Sequence, residues 1–406
     1  MIRYSPYWLD TFPKSKRPTY PRWRGNAETK VVVIGGGLTG CACAYSIAGA
    51  GIPVILLEAE RVGAGGTAAS AGLVREDFNT SFEATARAHG LRSARSLWQG
   101  AHRASLDFAA ALRRLRIRCD LAPLEQLRLC RAEPDAVRRL RREYQSRRDA
   151  GFDQSWISAS AFRREAALDA GGAIKSRGFS IDPYRACVGL AAAAASRKAG
   201  IFEHSAVTRV RDRRKSVEIV TSAGTLQADI VIVATSARLP DLRALRRHLR
   251  ALHGYAVVTD PLAGSVRREL GKRVAAIQDD AQPPHAVRWL KDDRVLVTGA
   301  DQPALAPRAQ PQALAQRTGQ LMYELSVLYP PISGTMPAWA WHAGYDGTAD
   351  GLPYLGLHRN FPRHFFALGQ ANHGAGVAWL ASRLALRAVQ GASEKTDALF
   401  GFSRIL

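Results

Sequence analysis

The sequence predicts an α/β fold with two lobes: a Rossmann-like domain that is discontinuous in sequence, and an α+β second domain built on an antiparallel sheet. Three observations support this prediction. A strand, glycine turn, helix and strand follow one another in Lys30–Glu58, a second buried strand at Asp229–Thr235 comes after a helical insertion, and residues 252–300 change to β-rich patterns. At 406 residues, the chain is also long enough to divide into two lobes.

The first of these stretches predicts a dinucleotide site. Val31–Ile34 is a continuous β-branched run of the kind found in strands buried on both faces. The glycines that follow fit G-x-G-x-x-G, a pattern that allows a tight turn and a close approach of backbone to pyrophosphate; they are Gly35, Gly37 and Gly40. A helix is expected over Leu38–Ala50 and a strand over Val54–Leu57, and Glu58 stands where a carboxylate binds ribose hydroxyls. This stretch alone does not separate NAD from FAD.

The next elements are a loop of small residues and a set of helices. Arg61–Gly72 contains mostly glycine, alanine, serine and threonine, which lets a ligand approach the backbone closely; a flexible linker is the other interpretation. Apolar residues at helical spacing predict helices over Phe82–Arg118 and Pro134–Ala150, and an alanine-rich helix is expected to begin near Pro183. The pattern in residues 216–228 predicts a hairpin about Gly224 that leads into the buried strand.

The last third of the chain completes both predicted domains. After the β-rich segment, a helix is expected over Pro311–Leu328, and a final strand, glycine-rich turn and helix occupy residues 365–389. We therefore expect an N-terminal extension at 1–29, a nucleotide-binding domain made of 30–80, 180–250 and 340–406, and a substrate or helical domain made of 81–179 and 251–339.

Composition limits the classes of function. The net charge of +22 comes mainly from scattered arginines, which suit solvated helix faces better than a nucleic-acid surface, although a polyanionic partner stays open. The five cysteines have no metal-type spacing, so no metal site is predicted, and their number suits a reducing compartment. Without a signal-peptide core or a run of 18 uncharged apolar residues, we expect no membrane span and a cytoplasmic location.

Taken in order, these segments resemble the FAD-dependent D-amino-acid oxidase and glycine oxidase superfamily, most nearly its gamma-glutamylputrescine oxidoreductase type of amine oxidase. The stretches that carry the resemblance cover nearly the whole chain; they are Tyr7–Thr11, Val33–Gly40, Glu58, Val62–Gly72, Asp182–Pro183, Ala228–Thr235, Asp350–Pro353 and His373–Gly374. The resemblance implies FAD at the glycine turn, with its ring at the domain interface beneath a β-sheet substrate domain.

The resemblance also assigns cofactor contacts by position. The expected set is Gly35, Gly37, Leu38, Thr39, Gly40, Glu58, Ala59, Gly65, Gly66, Thr67, Ala68, Ser70, Gly72, Val207, Ala234, Thr235, Gly369, Asn372, His373, Gly374, Ala375 and Gly376. Relatives that tether FAD use a C-terminal cysteine or a histidine in the small-residue loop. This chain has no cysteine after Cys187 and no histidine in that loop, so the FAD is expected to be non-covalent.

The reaction that the resemblance implies is hydride transfer to flavin N5 from the carbon beside a substrate nitrogen, giving an imine that hydrolyses. The substrate is then an amine or amino-acid-like molecule, and oxygen or another acceptor takes the electrons. Candidate pocket residues are His373, Tyr345, Arg288 and His342. Tyr345 stands where an arginine clamps the carboxylate in amino-acid oxidases of the superfamily, which disfavours a simple amino acid, and Arg288 is a possible substitute.

Two departures leave other functions open. Related oxidases carry Arg-Asn where this loop has Ala69 and Ser70, and Tyr345 replaces the arginine. These differences permit a non-catalytic FAD-binding or electron-transfer subunit. The high positive charge permits an FAD-dependent tRNA-modifying oxidase.

Overall fold

A computed structural model describes residues 1–166, 168–235, 245, 247–270, 275–370 and 374–404. The strands are β1 Gly25–Ile34, β2 Val54–Leu57, β3 Leu73–Val74, β4 Ala122–Cys130, β5 Ser155–Ser158, β6 Gly172–Ser180, β7 Gly200–Phe202, β8 Val207–Asp212, β9 Val217–Thr221, β10 Gly224–Val233, β11 Arg250–Thr259, β12 Ala275–Gln278, β13 Ala286–Trp289, β14 Val295–Pro303, β15 Pro337–Gly347, β16 Tyr354–His358 and β17 Phe361–Leu368.

The α-helices are α1 Tyr7–Asp10, α2 Leu38–Gly49, α3 Phe82–His89, α4 Leu91–Arg114, α5 Pro134–Asp149, α6 Ala159–Ala166, α7 Pro183–Ala195, α8 Gly264–Glu269, α9 Gln310–Leu328 and α10 Gly374–Val389. Short 3-10 helices cover Lys14–Lys16, Pro307–Ala309, Pro330–Ile332, Lys395–Phe400 and Phe402–Arg404. The pattern predicted over residues 82–118 forms two helices, because Gly90 has φ +81° and ends the first of them.

The first sheet is the predicted Rossmann-like sheet, with strand order β16-β17-β10-β1-β2-β7 and the β8–β9 hairpin beside β10. β1 pairs in parallel with β10 and with β2, and its carboxyl half, Val31–Ile34, is fully buried. Its first half begins at Gly25, inside the predicted extension. Because β10 and β17 follow long insertions, the sheet is discontinuous in sequence, as predicted.

The second sheet has nine strands in the order β15-β11-β14-β13-β12-β4-β6-β3, with β5 against β6. Its pairs are antiparallel except β4 with β12. β15 begins at Pro337 and pairs with β11, so it crosses the predicted domain boundary at residue 340 and belongs with this sheet. One face of β11 packs into the core beneath α9, and the other face, which includes Ala256 and Val258, packs toward the nucleotide domain.

The N-terminal extension joins the two lobes. Arg3 exchanges backbone hydrogen bonds with β15, at Ala338 and Ala340, and Trp8 on α1 is buried in the largest core. The extension therefore lies over the body of the protein and fixes elements from both sheets.

Candidate active site

The glycine turn is shaped by contacts that leave no room for side chains. Gly35 has φ +106°, and a Cβ atom on Gly40 would lie 1.8 Å from the Gly35 carbonyl oxygen. Backbone bonds of 2.9 Å from Gly35 to Leu57 and from Ala234 to Ile34 hold the carboxyl ends of β1, β2 and β10 together. The turn thus lets α2 begin directly against β1, with the helix N-terminus at the edge of the sheet.

Glu58 is fixed by the same turn. Its Oε2 accepts a hydrogen bond of 2.6 Å from the Gly36 amide, and its Oε1 accepts one of 2.9 Å from the Glu60 amide. A Cβ atom on Gly36 would lie 2.8 Å from the Glu58 Cβ, so Gly36 must be glycine for the acid to occupy this place. The carboxylate is therefore held rigidly at the end of β2, and its contact with ribose stays a prediction.

The small-residue loop, residues 61–72, is a compact series of turns packed on the glycine turn. The Gly63 amide donates to the Gly36 carbonyl oxygen at 2.9 Å, and the Thr67 hydroxyl oxygen accepts from the Leu38 amide at 2.9 Å. Thr67 therefore caps the first turn of α2. The next helix residue, Thr39, donates its hydroxyl hydrogen to the Gln370 side chain at 2.8 Å, which links α2 to the segment before α10.

Side chains from distant elements hold the loop through its carbonyl oxygens. The indole nitrogens of Trp8 and Trp341 each donate a hydrogen bond of 2.9 Å, to Ser70 and to Ala69 respectively. These are the two positions at which the sequence departs from Arg-Asn. The backbone at this departure is thus supported by two tryptophans that are not among the predicted site residues.

Arg288 supports the end of the same loop. The side chain is buried, and its Nη1 donates to the carbonyl oxygens of Ala71 at 2.7 Å, Gly72 at 2.9 Å and Ile181 at 3.0 Å. Its guanidinium carbon also lies 5.1 Å from the Trp8 ring centroid. We therefore assign Arg288 to loop support in place of the predicted contact with a substrate carboxylate.

A cleft opens where the glycine turn, the loop, the end of β17 and β15 meet. The residues that line it come from both sheets; they are Gly37, Leu38, Thr39, Gly66, Thr67, Ala69, Ser70, Gly72, Leu73, Ala234, Thr235, Ala343, Gly344, Tyr345, Asp346, Ala367, Leu368, Gly369, Gln370 and Ala375. Many predicted cofactor residues are in this set. So is Tyr345, which is the one predicted pocket residue that the described part of the cleft contains.

The other predicted residues lie around or away from the cleft. His342 is on the opposite face of β15 from Tyr345, with its ring 5.2 Å from His253, because successive strand residues alternate faces. Ala68 is buried in the core, Ala59 is exposed, and Gly65 is outside the lining. Val207 begins β8, two residues after Ser205, whose amide bonds the Glu58 carbonyl oxygen at 2.8 Å.

The segment before α10 completes the edge of the cleft. Gly369 has φ +69°, and a Cβ there would lie 2.4 Å from Thr348 Cγ2, so only glycine suits this position. Gly374 and Gly376 lie in the first turn of α10, and Gly376 packs close to the Arg75 carbonyl oxygen. The predicted residues Asn372 and His373 lie outside the described residues.

The side of the cleft formed by β15 contains ionisable groups whose pKa values are shifted by burial. Tyr345 donates its hydroxyl hydrogen to Asp301 Oδ2 on the neighbouring part of the sheet. Burial, and then the Asp301 charge, raise the pKa of Tyr345 well above its usual range, so the phenol keeps its proton. Burial also raises the pKa of Asp301 and lowers the pKa of His342. Asp301 is not among the site residues predicted from the sequence.

Comparison with known proteins identifies the family. The sequence model of the family described as FAD dependent oxidoreductase, DAO, matches residues 30–387. The chain belongs to this family. The predicted superfamily and fold class are thus confirmed, and the protein is an FAD-dependent oxidoreductase with FAD as its cofactor.

Several relatives of this FAD-dependent oxidoreductase have been described. Gamma-glutamylputrescine oxidoreductase of Escherichia coli K12 is 25% identical over 378 residues, covering 91% of this chain and 85% of the relative. Glycine oxidase of Geobacillus kaustophilus is 25% identical over 355 residues, covering 85% and 88%. The crystal structure of glycine oxidase from Geobacillus kaustophilus superposes with a TM-score of 0.77, at 21% identity over 93% of this chain and 99% of that one. L-proline dehydrogenase of P. horikoshii gives a TM-score of 0.74 at 17% identity, covering 92% and 95%.

The residues at the cleft suit FAD. The glycine turn carries no side chain at Gly35, Gly36 or Gly37, and Gly37 lines the cleft. The N-terminus of α2 lies there, and Glu58 is held at the end of β2. These groups would hold the pyrophosphate and the ribose, while the small-residue loop and the start of α10 would hold the flavin half. Among the described residues, no helix has the length and apolarity needed to span a bilayer, and no three acidic, histidine or cysteine side chains are grouped to hold a metal ion.

A larger cavity, of about 760 Å³, lies away from the cleft, between β16 and the C-terminal 3-10 helices. His248, His358 and Phe402 are among its lining residues, and none of the predicted FAD residues that the structure describes is in this lining. The glycine turn and the N-terminus of α2, which are the expected phosphate-binding groups, do not line this cavity. The cleft is therefore the candidate site for the cofactor.

Proposed function

We propose that this enzyme oxidises a C–N bond of a small amine or amino-acid-like substrate. A C–H hydride leaves the carbon beside the nitrogen, the nitrogen loses a proton, and the resulting imine is hydrolysed to a carbonyl compound and an amine or ammonia. Bound FAD supplies the hydride acceptor, and oxygen or another acceptor then removes the two electrons. The observation that carries this proposal is the cleft itself, since its lining joins the nucleotide-binding edge of the first sheet to the second sheet.

The relatives support the proposed class of substrate. Their names specify gamma-glutamylputrescine and glycine, both nitrogen compounds, as substrates of those proteins. In this chain, the second sheet would cover the flavin half of the cofactor and exclude water from the reacting carbon. Tyr345 would orient the substrate, and His373 keeps its proposed place beside the ring.

We also propose that the FAD is held without a covalent bond. Within the described residues, the cleft lining contains no cysteine and no histidine side chain that would form the usual tethers. The expected result is a yellow protein that releases all of its FAD into the supernatant on precipitation with acid. Flavin that stays with the precipitate would contradict this part of the proposal.

The main test is an anaerobic screen of the purified holoenzyme. Polyamines, N-methyl amino acids and D-amino acids are mixed with the protein, and flavin bleaching is followed by absorbance. We expect rapid bleaching by at least one nitrogen compound, and repeated turnover once oxygen or an artificial acceptor is admitted. A flavin that no member of the screen reduces, while dithionite does reduce it, would refute the proposal and favour a non-catalytic FAD-binding subunit.

The same preparation tests the RNA alternative. Several arginines of the charged runs are already paired with acids, such as Arg138 with Asp135 and Arg213 with Glu218. We therefore expect no shift of transfer RNA on a native gel at low salt. A shift that disappears as salt rises would favour a polyanionic substrate instead.

A further inference from the structure

Tyr345 and Asp301 form a hydrogen-bonded pair on the face of the second sheet that lines the cleft. Tyr345 lies on β15 and Asp301 on β14, with β11 between them. Gly254 of β11 lies beneath the pair: a Cβ there would be 2.9 Å from Asp301 Oδ1 and 3.1 Å from Tyr345 Cε1. Because residue 254 is glycine, there is space above β11 in which the two side chains meet.

The direction of this hydrogen bond determines what the cleft offers to a ligand. A phenol has one hydrogen and two lone pairs, and Tyr345 donates its hydrogen to the Asp301 carboxylate. The phenol oxygen is therefore left as an acceptor only. Such an oxygen binds an N–H donor, whereas a carboxylate brings no hydrogen and is repelled by the lone pairs and by Asp301.

The charges around the Tyr345–Asp301 pair also favour a cationic group over a carboxylate. Asp301 Oδ1 is buried and lacks a hydrogen-bond partner among the described residues. The nearby cationic candidate, His285, is already flanked by two acids, since Asp279 Oδ2 and Glu324 Oε2 each lie 2.7 Å from one of its ring nitrogens. This wall is therefore acidic in a chain whose net charge is +22.

We propose that the Tyr345–Asp301 pair binds a second, cationic nitrogen of the substrate and excludes a carboxylate from that position. The inference rests on the proposed function and specifies its substrate class as aliphatic diamines. Tyr345 would contact the distal ammonium group through its phenol oxygen. Asp301 would act as a positioning residue, because it orients the phenol and supplies the charge that attracts the cation.

Three compounds of equal chain length separate this idea from general amine oxidation. 1,4-Diaminobutane ends in an ammonium group, 4-aminobutanoate in a carboxylate and butylamine in a methyl group. With the holoenzyme under anaerobic conditions, stopped-flow absorbance gives the limiting rate of flavin reduction and the apparent Kd for each. We expect the ratio of rate to Kd to be about 10- to 100-fold higher for the diamine than for butylamine, and lowest for the amino acid.

Three variants assign the effect to the pair. Asp301→Asn keeps the size but removes the charge, and Tyr345→Phe removes the acceptor oxygen. Each should bring the rate-to-Kd ratio of the diamine within a few-fold of that of butylamine measured on the same variant, mainly by raising the diamine Kd. Asp229→Asn is the control. It removes one negative charge, as Asp301→Asn does, but from an exposed carboxylate paired with Lys30, and it should leave the reduction rate and Kd of all three compounds unchanged.

Binding to the oxidised protein tests the pair without turnover. The diamine should perturb the flavin spectrum or give heat in calorimetry with a lower Kd than 4-aminobutanoate, and Tyr345→Phe should abolish that difference. Equal binding of the two compounds, or an Asp301→Asn variant that keeps the wild-type preference, would overturn the inference while leaving amine oxidation intact. Failure of every nitrogen compound to reduce the flavin would instead refute the proposed function.

Discussion

The glycine turn gives the sharpest test of how the cofactor is held. Gly40→Ala adds one methyl group at a point where a Cβ would lie 1.8 Å from the Gly35 carbonyl oxygen, 3.1 Å from its carbonyl carbon and 3.3 Å from Val33 Cγ1. An ordinary contact needs about 3.4 Å, so α2 and β1 must move apart by roughly 1.6 Å. Neither element has room to move at this point, because the carboxyl half of β1 is fully buried and α2 is buried along most of its length.

The magnitude follows from two effects. Overpacking in a filled core typically costs about 1–3 kcal/mol of unfolding free energy. In addition, a shift of more than 1 Å at the N-terminus of α2 would break the hydrogen bonds that we expect its amides to donate to the pyrophosphate, each worth about 1.5–3 kcal/mol for a charged acceptor. Loss of one such bond weakens FAD binding by roughly 10- to 150-fold, and loss of two by more than 100-fold.

The control is a glycine in the same helix. A Cβ on Gly49 would lie 3.7 Å from the Arg197 side chain, an ordinary contact at an exposed position. Gly49→Ala should therefore bind FAD normally and be as stable as wild type or more stable, by about 0.5–1 kcal/mol.

The assay compares both variants with wild type by the ratio of flavin to protein absorbance, by titration of the apoprotein with FAD, and by Tm with excess FAD. We expect Gly40→Ala to be purified largely without flavin and to have a lower Tm even with FAD added. A Gly40→Ala protein with full flavin content, wild-type Kd and wild-type Tm would refute the proposed packing of the turn.

Three further predictions concern residues outside the turn. The five cysteines are buried, and burial raises the pKa of Cys43 to about 12. The native protein should therefore resist thiol reagents that modify all five cysteines in denaturant. Fast modification of any cysteine in the native state would contradict the structure. The Asp279 carboxylate raises the pKa of His285 above its usual 6.5, so the folded state holds the proton more tightly. The protonated His285 therefore contributes its full stabilisation below pH 6.5, and this stabilisation is lost as pH rises through the raised pKa. The difference in unfolding free energy between wild type and His285→Gln should shrink over the same rise in pH. A difference that stays constant with pH would count against the His285–Asp279 pair. Trp8→Phe removes the hydrogen bond to Ser70 but keeps an aromatic ring, so unfolding in urea should show a loss of about 0.5–1.5 kcal/mol, and an unchanged midpoint would show that the bond is unimportant.

The sequence predicted the nucleotide-binding half well because its signals are local. Each signal in Lys30–Glu58 depends on a few neighbouring residues: a buried run, glycines at fixed spacing, a helix and an acid. Even here, one assignment required the structure. The Glu58 carboxylate accepts hydrogen bonds from Gly36 and Glu60, and no periodic pattern marks Gly36 as the glycine that makes room for it.

The supports of the small-residue loop were not predictable, because they come from distant parts of the chain. Trp8 precedes its partner Ser70 by 62 residues, and Arg288 follows the Ala71 carbonyl by 217. An arginine in a β-strand has no sequence feature that separates loop support from substrate binding. Only the three carbonyl oxygens around its Nη1 make that distinction.

The substrate wall depends on sheet register, which sequence patterns specify weakly between separate strands. Tyr345 pairs across β15 and β11 with Leu252, and a bulge between His253 and Tyr255 shifts the register of β11 against β14. Asp301 reaches Tyr345 on the cleft face next to this bulge, over the space left by Gly254. In a regular ladder, the side chains of β14 would alternate between the two faces of the sheet without interruption. The bulge breaks this alternation, and so helps to bring the Asp301 carboxylate to the cleft face. Substrate choice would then be set by a local break in the second sheet, while the glycine turn of the first sheet would hold the FAD that the whole family shares.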